Sequence, residues 1–306
     1  MSYRDKVTQE IRQSCARTSH DSVLFAGAGL SKRHLALPSW NQLLENILSQ
    51  IQAPLPLAYY LQSSGNLINA AQHIARLTHE WAWLDGKATF PELFFDENVS
   101  HTIFLKHLVA SQIQKAAPVE MHFENLASRE ELPALIAMPL HTVITTNYDH
   151  FLEQILGRDP VYGLDIALHD EGARGNVIKI HGCITDPASI VLLPEDYAGY
   201  SIKHRYIFSK LLTYFAEYTI LFVGYSLSDP DIAELLVNTA DALNVSNLEN
   251  VFVLEWGDEP DSYSENTMSH PVHYEYKSAC IKAIRSKQFD WVYRALSEFK
   301  AEAKKT

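Results

Sequence analysis

The chain has 306 residues, 47% hydrophobic and 20% charged, with a formal net charge of −12. That balance fits an ordinary globular protein long enough for one large α/β domain, or a core with a sizeable insertion, and excludes a disordered chain. The acidic excess argues against direct nucleic-acid binding, which favours a basic face, and the one basic run, Lys203–His204–Arg205, reads as solvated surface.

The first element is a helix ending near Arg17; its charged start has no apolar core of a signal peptide. The strand "SVLFAGAG" (Ser22–Gly29) follows. A helix then opens at Ser39, a good N-cap, with Trp40, Leu43, Leu44, Ile47 and Leu48 at helical spacing. Between Ala53 and Leu140 strand signals nearly vanish, and "AAQHIARLTHEWAWL" and "HTIFLKHLVASQIQKA" read as helices. Strands return as "HTVITTN", "NVIKIHG", "SIVLL", "YTILFVGYS" and "VFVLEW", with the helical stretches "DHFLEQIL" and "DPDIAELLVNTADAL" among them. Such alternation, with runs too apolar for a half-exposed sheet, predicts an α/β fold with a parallel sheet covered by helices. The expected division is a core of residues 1–52 and 139–306, interrupted by a helical insertion over about 53–138 that forms a smaller lobe. Gly257–His273 reads as a polar loop, and the final helix, "FDWVYRALSEFKAEA", as one whose aromatic stripe is core.

Three cysteines, Cys15, Cys183 and Cys280, are odd in number and widely spaced, so no disulfide framework and no C-x-x-C zinc half-site is expected. "HPVH" (His270–His273) lacks companions at metal spacing and reads as surface. No window approaches the roughly 18 apolar residues of a membrane span, so the expectation is a cytoplasmic protein with reduced thiols.

Four strand ends carry chemistry-bearing residues. "GAGLSK" (Gly27–Lys32) is either a phosphate cradle at a helix start or a plain tight turn; it is neither a complete dehydrogenase fingerprint nor a P-loop. "TTNYD" sets Thr145, Thr146, Asn147 and Asp149 at a strand-to-helix corner, where Asp149 either binds a ligand or caps the helix. In "VIKIHGCI", His181 stands where a general base would reach a crevice, or is a core histidine bonded to a carbonyl; Cys183 reads as core. In "LFVGYSLSDPDI", Gly224 ends a strand and Ser226 is placed to bond a ribose or phosphate, while Ser228 or Asp229 caps the next helix. The second glycine of a hydrolase elbow is missing.

Together "GAGLS", "TTNYD", "KIHG" and "VGYSLSDPDI", in that order, resemble the sirtuin family, and more closely its SIR2-like branch of bacterial antiviral defence proteins. The resemblance implies a Rossmann-like NAD site. Gly27, Ala28 and Gly29 would approach the NAD phosphates, with Thr145 and Thr146 also at the cofactor, Asn147 and His181 as the catalytic pair, and Asp149 on the nicotinamide carboxamide. Gly224 and Ser226 would take the adenosine side and Glu255 its ribose. The four-cysteine zinc module of deacylase sirtuins is absent, the glycine motif continues as "LALPSWNQ", and Thr146 and Tyr148 replace a glutamine and an isoleucine. The implied activity is therefore hydrolysis of NAD+, as substrate and without zinc, to nicotinamide and ADP-ribose in anti-phage defence. The rival readings are a zinc-free NAD-dependent deacylase or ADP-ribosyltransferase, and a non-catalytic NAD-sensing assembly module. Since unrestrained NAD loss is toxic, a homo-oligomer or a regulatory partner, such as an ATPase or an argonaute-like protein, is expected.

Overall fold

The computed structural model describes residues 2–303 apart from 19–20, 36, 117–125, 164, 169–175, 199–204, 228, 263 and 265–267. Among them, one sheet is built from β1 (Ser22–Ala26), β2 (Leu140–Thr145), β3 (Asp159–Tyr162), β4 (Asn176–Lys179), β5 (Ile220–Val223), β6 (Asn247–Trp256), β7 (Ser269–Tyr274) and β8 (Lys277–Ser286). Its order is β3-β4-β2-β1-β5-β6-β8-β7. Every pairing is parallel except the β7–β8 hairpin. The sequences SVLFA of β1 and ILFV of β5 are buried throughout, as interior parallel strands covered on both faces require. From β1 the sheet grows one way through β2 and the other through β5, so the crevice above the end of β1 is the topological switch point.

Helices cover both faces, so the expected Rossmann-like α/β architecture is the observed one. On one face lie α1 (Tyr3–Thr18), α7 (Leu126–Ile136), α8 (Phe151–Leu156) and the last helix, α13 (Asp290–Ala303), around Ile11, Leu24, Leu135, Phe151 and Val292. The aromatic stripe of α13 is core there: Tyr293 is 1% exposed. On the other face α11 (Arg205–Glu217) and α12 (Pro230–Ala242) pack Phe215, Leu235 and Leu236 against Phe25 and Phe222. A third cluster, of Leu44, Ile47, Ile74, Phe104 and Leu108, joins α3 (Trp40–Gln50), α4 (Leu57–Ser64), α5 (Leu67–Trp83) and α6 (Ile103–Ala116). Thus α3 packs with the helical lobe, whereas Leu132 and Leu135 of α7 pack on the sheet. Ser39 caps α3 through a capping box with Gln42, as its sequence signals.

Two predicted elements differ. The apolar run Ser189–Leu193 is not a strand; it follows a 3-10 turn (Pro187–Ser189) and buries Ile190, Leu192 and Leu193 in the core of the helical lobe. Its backbone offers no ladder, because Val191 N donates to His181 O (3.0 Å) and the N–H groups of Leu192 and Leu193 both donate to Asp196 Oδ2 (2.9 and 2.8 Å). The second is the polar loop Gly257–His273, of which residues 263 and 265–267 lie outside the described residues. Its end is β7, which places "HPVH" in a strand, with Val272 buried and His270 opposite Ile281. Pro271 is compatible because β7 is an edge strand, whose outer side needs no donor. Lys203 and His204 of the basic run also lie outside the described residues. Among the described residues no helix is long and apolar enough to cross a membrane.

Candidate active site

Three strand-to-helix turns meet over the end of β1. The first runs from Gly27 into α2 (Ala28–Leu35), the second from Thr146 to α8, the third from Gly224 to α12. The first and third press backbone against backbone: Gly29 N donates to Gly224 O at 2.8 Å and Gly27 N to Val223 O at 2.9 Å. A Cβ on Gly27 would stand 2.4 Å from the Tyr225 ring, and one on Gly29 2.7 Å from Gly224 O. Gly224 has φ +64°, and a Cβ there would lie 2.1 Å from Leu30 N. Glycine is thus required at these corners by the close approach of two turns, before any ligand is considered.

A cleft of about 1140 Å³ opens over these turns, lined by Ala28, Gly29, Gly224, Ser226, Glu255 and His270 among others. A recess of about 110 Å³, lined by Ser31, Asn147, Asp149 and His181, adjoins it. Ala28, Trp40, Thr146, Tyr148, Tyr197 and Asp229 line both. Gly27 and Thr145 line neither; both are buried behind the wall. The other sequence-predicted residues therefore converge: Gly29, Gly224, Ser226 and Glu255 on the outer chamber, Asn147, Asp149 and His181 on the inner one, and Ala28 and Thr146 on both.

The inner chamber is held by buried hydrogen bonds. Thr145 Oγ1 donates to Ala26 O (2.8 Å) and accepts from Asn147 N (2.9 Å), stitching the β2 corner to β1. Asn147 Nδ2 donates to Gly27 O and to Ser31 Oγ, each at 3.0 Å. Its Oδ1 is buried with no partner among the described residues, an acceptor left over at the recess. Asp149 Oδ1 accepts from Phe151 N (2.9 Å), so it caps α8 while lining the recess. Burial pushes the Asp149 carboxyl above the usual range, against the lowering pull of Lys179 and of hydrogen bonds from Phe151 and Ser31. Lys179, fully buried at the end of β4, donates to the Asp149 carbonyl and to Glu153 Oε1 (2.8 Å). That lone lysine in an apolar strand pins the Asp149 turn from beneath.

His181 leaves β4 and is 2% exposed. Its Nδ1 lies 3.6 Å from Asp229 Oδ2 and its Nε2 3.8 Å from Asp231 Oδ2, while Tyr197 meets the ring edge-on at 5.7 Å between centroids. Burial raises the Tyr148, Tyr197 and Tyr225 phenols well above their ordinary range, so this wall is uncharged. At the outer end Glu255 accepts from His270 Nδ1 (2.7 Å) and Arg285 (2.9 Å); these bonds outweigh its burial and keep it an ionised carboxylate. Sequence reasoning offered Ser228 or Asp229 as the cap; Ser228 lies outside the described residues, Asp229 caps through Asp231 N (3.0 Å), and its second face and Asp231 were missed altogether. Two acids two residues apart beyond a strand end were the available signal. His181, Asp229 and Asp231 are also the one group among the described residues whose donors, within 4.8 Å of one another, could hold a metal ion; no cysteines are grouped that way.

The profile of the SIR2-like domain matches residues 141–282. The chain is 25% identical over 228 residues to the NAD(+) hydrolase ThsA of Bacillus cereus (strain MSX-D12), covering 72% of this chain and 40% of that protein. It is 30% identical over 239 residues to the NAD(+) hydrolase ThsA of Enterococcus faecium, covering 76% and 42% respectively. With the Defense-associated sirtuin 2 of Bacillus subtilis the figures are 26% over 171 residues, 52% of this chain and 16% of the relative. The chain thus spans less than half the length of each of these curated relatives. A parallel sheet with its site at the switch point, four ordered motifs and these likenesses agree: residues 141–282 match the SIR2-like domain, and the chain is similar to proteins named as NAD hydrolases and as a defence-associated sirtuin.

Proposed function

We propose that the chain hydrolyses NAD+ to nicotinamide and ADP-ribose, as the NAD-depleting effector of a bacterial anti-phage defence system. The observation that carries this reading is the inner recess, where the unpartnered Oδ1 of Asn147 and the imidazole of His181 line one small space beside a dinucleotide-sized cleft. In this reading the diphosphate lies on the exposed backbone of Ala28 and Gly29 at the start of α2, where the helix dipole favours an anion. The adenosine ribose reaches Glu255, with Gly224 and Ser226 beside the adenosine. The nicotinamide carboxamide donates to Asp149, and Thr146 lines its path.

The bond to nicotinamide is glycosidic, with a cationic pyridinium leaving group, so no acid is needed to expel it. The C–N bond breaks, its electron pair neutralises the nicotinamide ring, and positive charge passes to the ribose. Water, bonded to Asn147 Oδ1, adds its oxygen to the anomeric carbon and gives its proton to His181. Thr145 acts from behind, by fixing Asn147. Helices α3 to α6 serve as the lobe that closes the cleft from the side, and restraint of the activity falls to self-association or to a regulatory protein such as an ATPase or an argonaute-like partner.

The test is incubation of the purified protein, alone and with any co-purifying partner, with NAD+, reading nicotinamide and ADP-ribose by chromatography. Equimolar release by the wild type, reduced about a hundred- to ten-thousand-fold in His181→Ala and Asn147→Ala, is expected. Undiminished release by either folded variant refutes the residue assignment, and no release under any condition refutes the activity.

A further inference from the structure

His181 is flanked by carboxylates on both ring nitrogens, and the two flanks are not equivalent. Asp229 lines the cleft and the recess, so the nitrogen it faces, Nδ1, is the one turned towards the space a substrate would fill. Asp231 lines neither, is 7% exposed, and faces Nε2 from behind. Both are fixed by one local device. Asp229 Oδ1 caps α12 by accepting from Asp231 N and Ile232 N (3.0 and 3.4 Å), which leaves Oδ2 for the histidine and sets Asp231 in the first helical turn. The ring has little freedom to turn away: Tyr197 stands against it, and its own carbonyl is held by Val191 N. Burial raises the Asp231 carboxyl, the charges of Asp229 and Glu234 add to that, and His181 beside it pulls the other way.

A neutral imidazole has one N–H and one lone pair, and its environment selects which nitrogen carries which. We propose that Asp231 is a positioning residue that holds the proton of His181 on Nε2, leaving the Nδ1 lone pair facing the recess beside Asp229. The inference rests on the NAD-hydrolase reading for its catalytic consequence, but not for the tautomer itself. With the proton on Nε2, the histidine accepts from water or a ribose hydroxyl at Nδ1, and Asp231 then balances the imidazolium so formed. With the proton on Nδ1, the lone pair on Nε2 would point at Asp231 Oδ2, which is buried and has no other partner among the described residues, whereas Asp229 borders the open cleft and already caps α12. The role parallels that of the buried aspartate in a serine-protease triad, where replacing it by asparagine fixes the wrong tautomer.

The experiment pairs two readouts on Asp231→Asn, whose amide keeps the shape and can donate to Nε2. The first needs no turnover: nitrogen-15 NMR of histidine-labelled protein, with the His181 signals assigned through His181→Ala. The wild type should show the Nε2–H form and Asp231→Asn the Nδ1–H form. A wild type already in the Nδ1–H form, or a variant with an unchanged tautomer, overturns the inference. The second readout is NAD turnover, where kcat should fall about a hundredfold or more while KM changes by less than about threefold. A merely structural role would lower melting temperature and scatter both constants. Should Asp231→Asn not fold, Asp231→Ser is read the same way, by loss of a single clamped tautomer. A wild type without NAD turnover under any condition counts against the proposed function, and the tautomer measurement still decides the placement of Asp231.

Discussion

Substituting Gly224 by alanine separates the demand of the backbone from that of any ligand. The residue sits at φ +64°, where an alanine costs about 1–2 kcal/mol. Its new Cβ would stand 2.1 Å from Leu30 N and 2.6 Å from the Gly29 carbonyl carbon. These are backbone atoms at the start of α2 and cannot swing aside. Moving from 2.1 Å to the 3.4 Å of ordinary contact displaces that turn by about 1.3 Å, and such overpacking adds about 1–3 kcal/mol. The expected total is about 2–5 kcal/mol of stability. Gly157 is the control: it too has positive φ, +61°, ending α8, but a Cβ there meets nothing within 4 Å. Gly157→Ala should lose only about 1–2 kcal/mol and keep its turnover. Because a 1 Å misplacement can cost about a hundredfold, NAD kcat/KM of folded Gly224→Ala should fall by that order. Denaturant melts and initial rates of the two variants, side by side, make the assay. Equal stability losses, or a Gly224→Ala enzyme within about threefold of wild type, would refute the claim that the two turns brace one another.

Thr145→Val deletes a hydroxyl that serves both Ala26 O and Asn147 N. Leaving these buried groups unpaired should cost about 1–3 kcal/mol in a chemical melt and lower turnover through Asn147, though Thr145 does not line the cleft. Asp149→Asn should do the opposite to stability. Since burial raises the folded pKa of Asp149, its ionised form is disfavoured in the fold; stability is greatest below the unfolded pKa of about 4 and is lost as pH rises through the folded value. The variant should therefore melt higher than wild type near pH 7, with the gap closing towards about pH 4, while turnover falls; thermal melts across that range check it.

Much of the sheet was legible because β1, β2, β4, β5 and β6 carry uninterrupted apolar runs that end in polar or glycine corners. The segment Ile190–Leu193 misled for the same reason: an apolar run shows that residues are buried, not which core takes them. The β7 strand was hidden by Pro271 and its polar neighbours, since an edge strand obeys looser rules than a central one. At the site, Asn147, Asp149 and His181 were legible from their places beyond strand ends. Thr145 was legible as polar but not as hidden, because its side-chain direction depends on register with β1. Asp231 was visible only as the second acid of a pair; its place beside His181 depends on where the N-terminus of α12 lies relative to β4, a relation that no local pattern encodes.

The order of the strands has a consequence for when the chemistry can begin. Gly29, Asn147, His181 and Asp231 are separated by long stretches of chain and are brought to one end of the sheet because β2 and β5 both pair with β1 and β4 pairs with β2. Contacts so distant in sequence form late in folding and together. During synthesis the glycine turn emerges first and waits, harmless, through some two hundred residues until the start of α12 arrives. A partial chain ending before that point has the glycine turn but no framed histidine. The topology itself is therefore a delay line: the site cannot be assembled until the strands on both sides of β1 are in place.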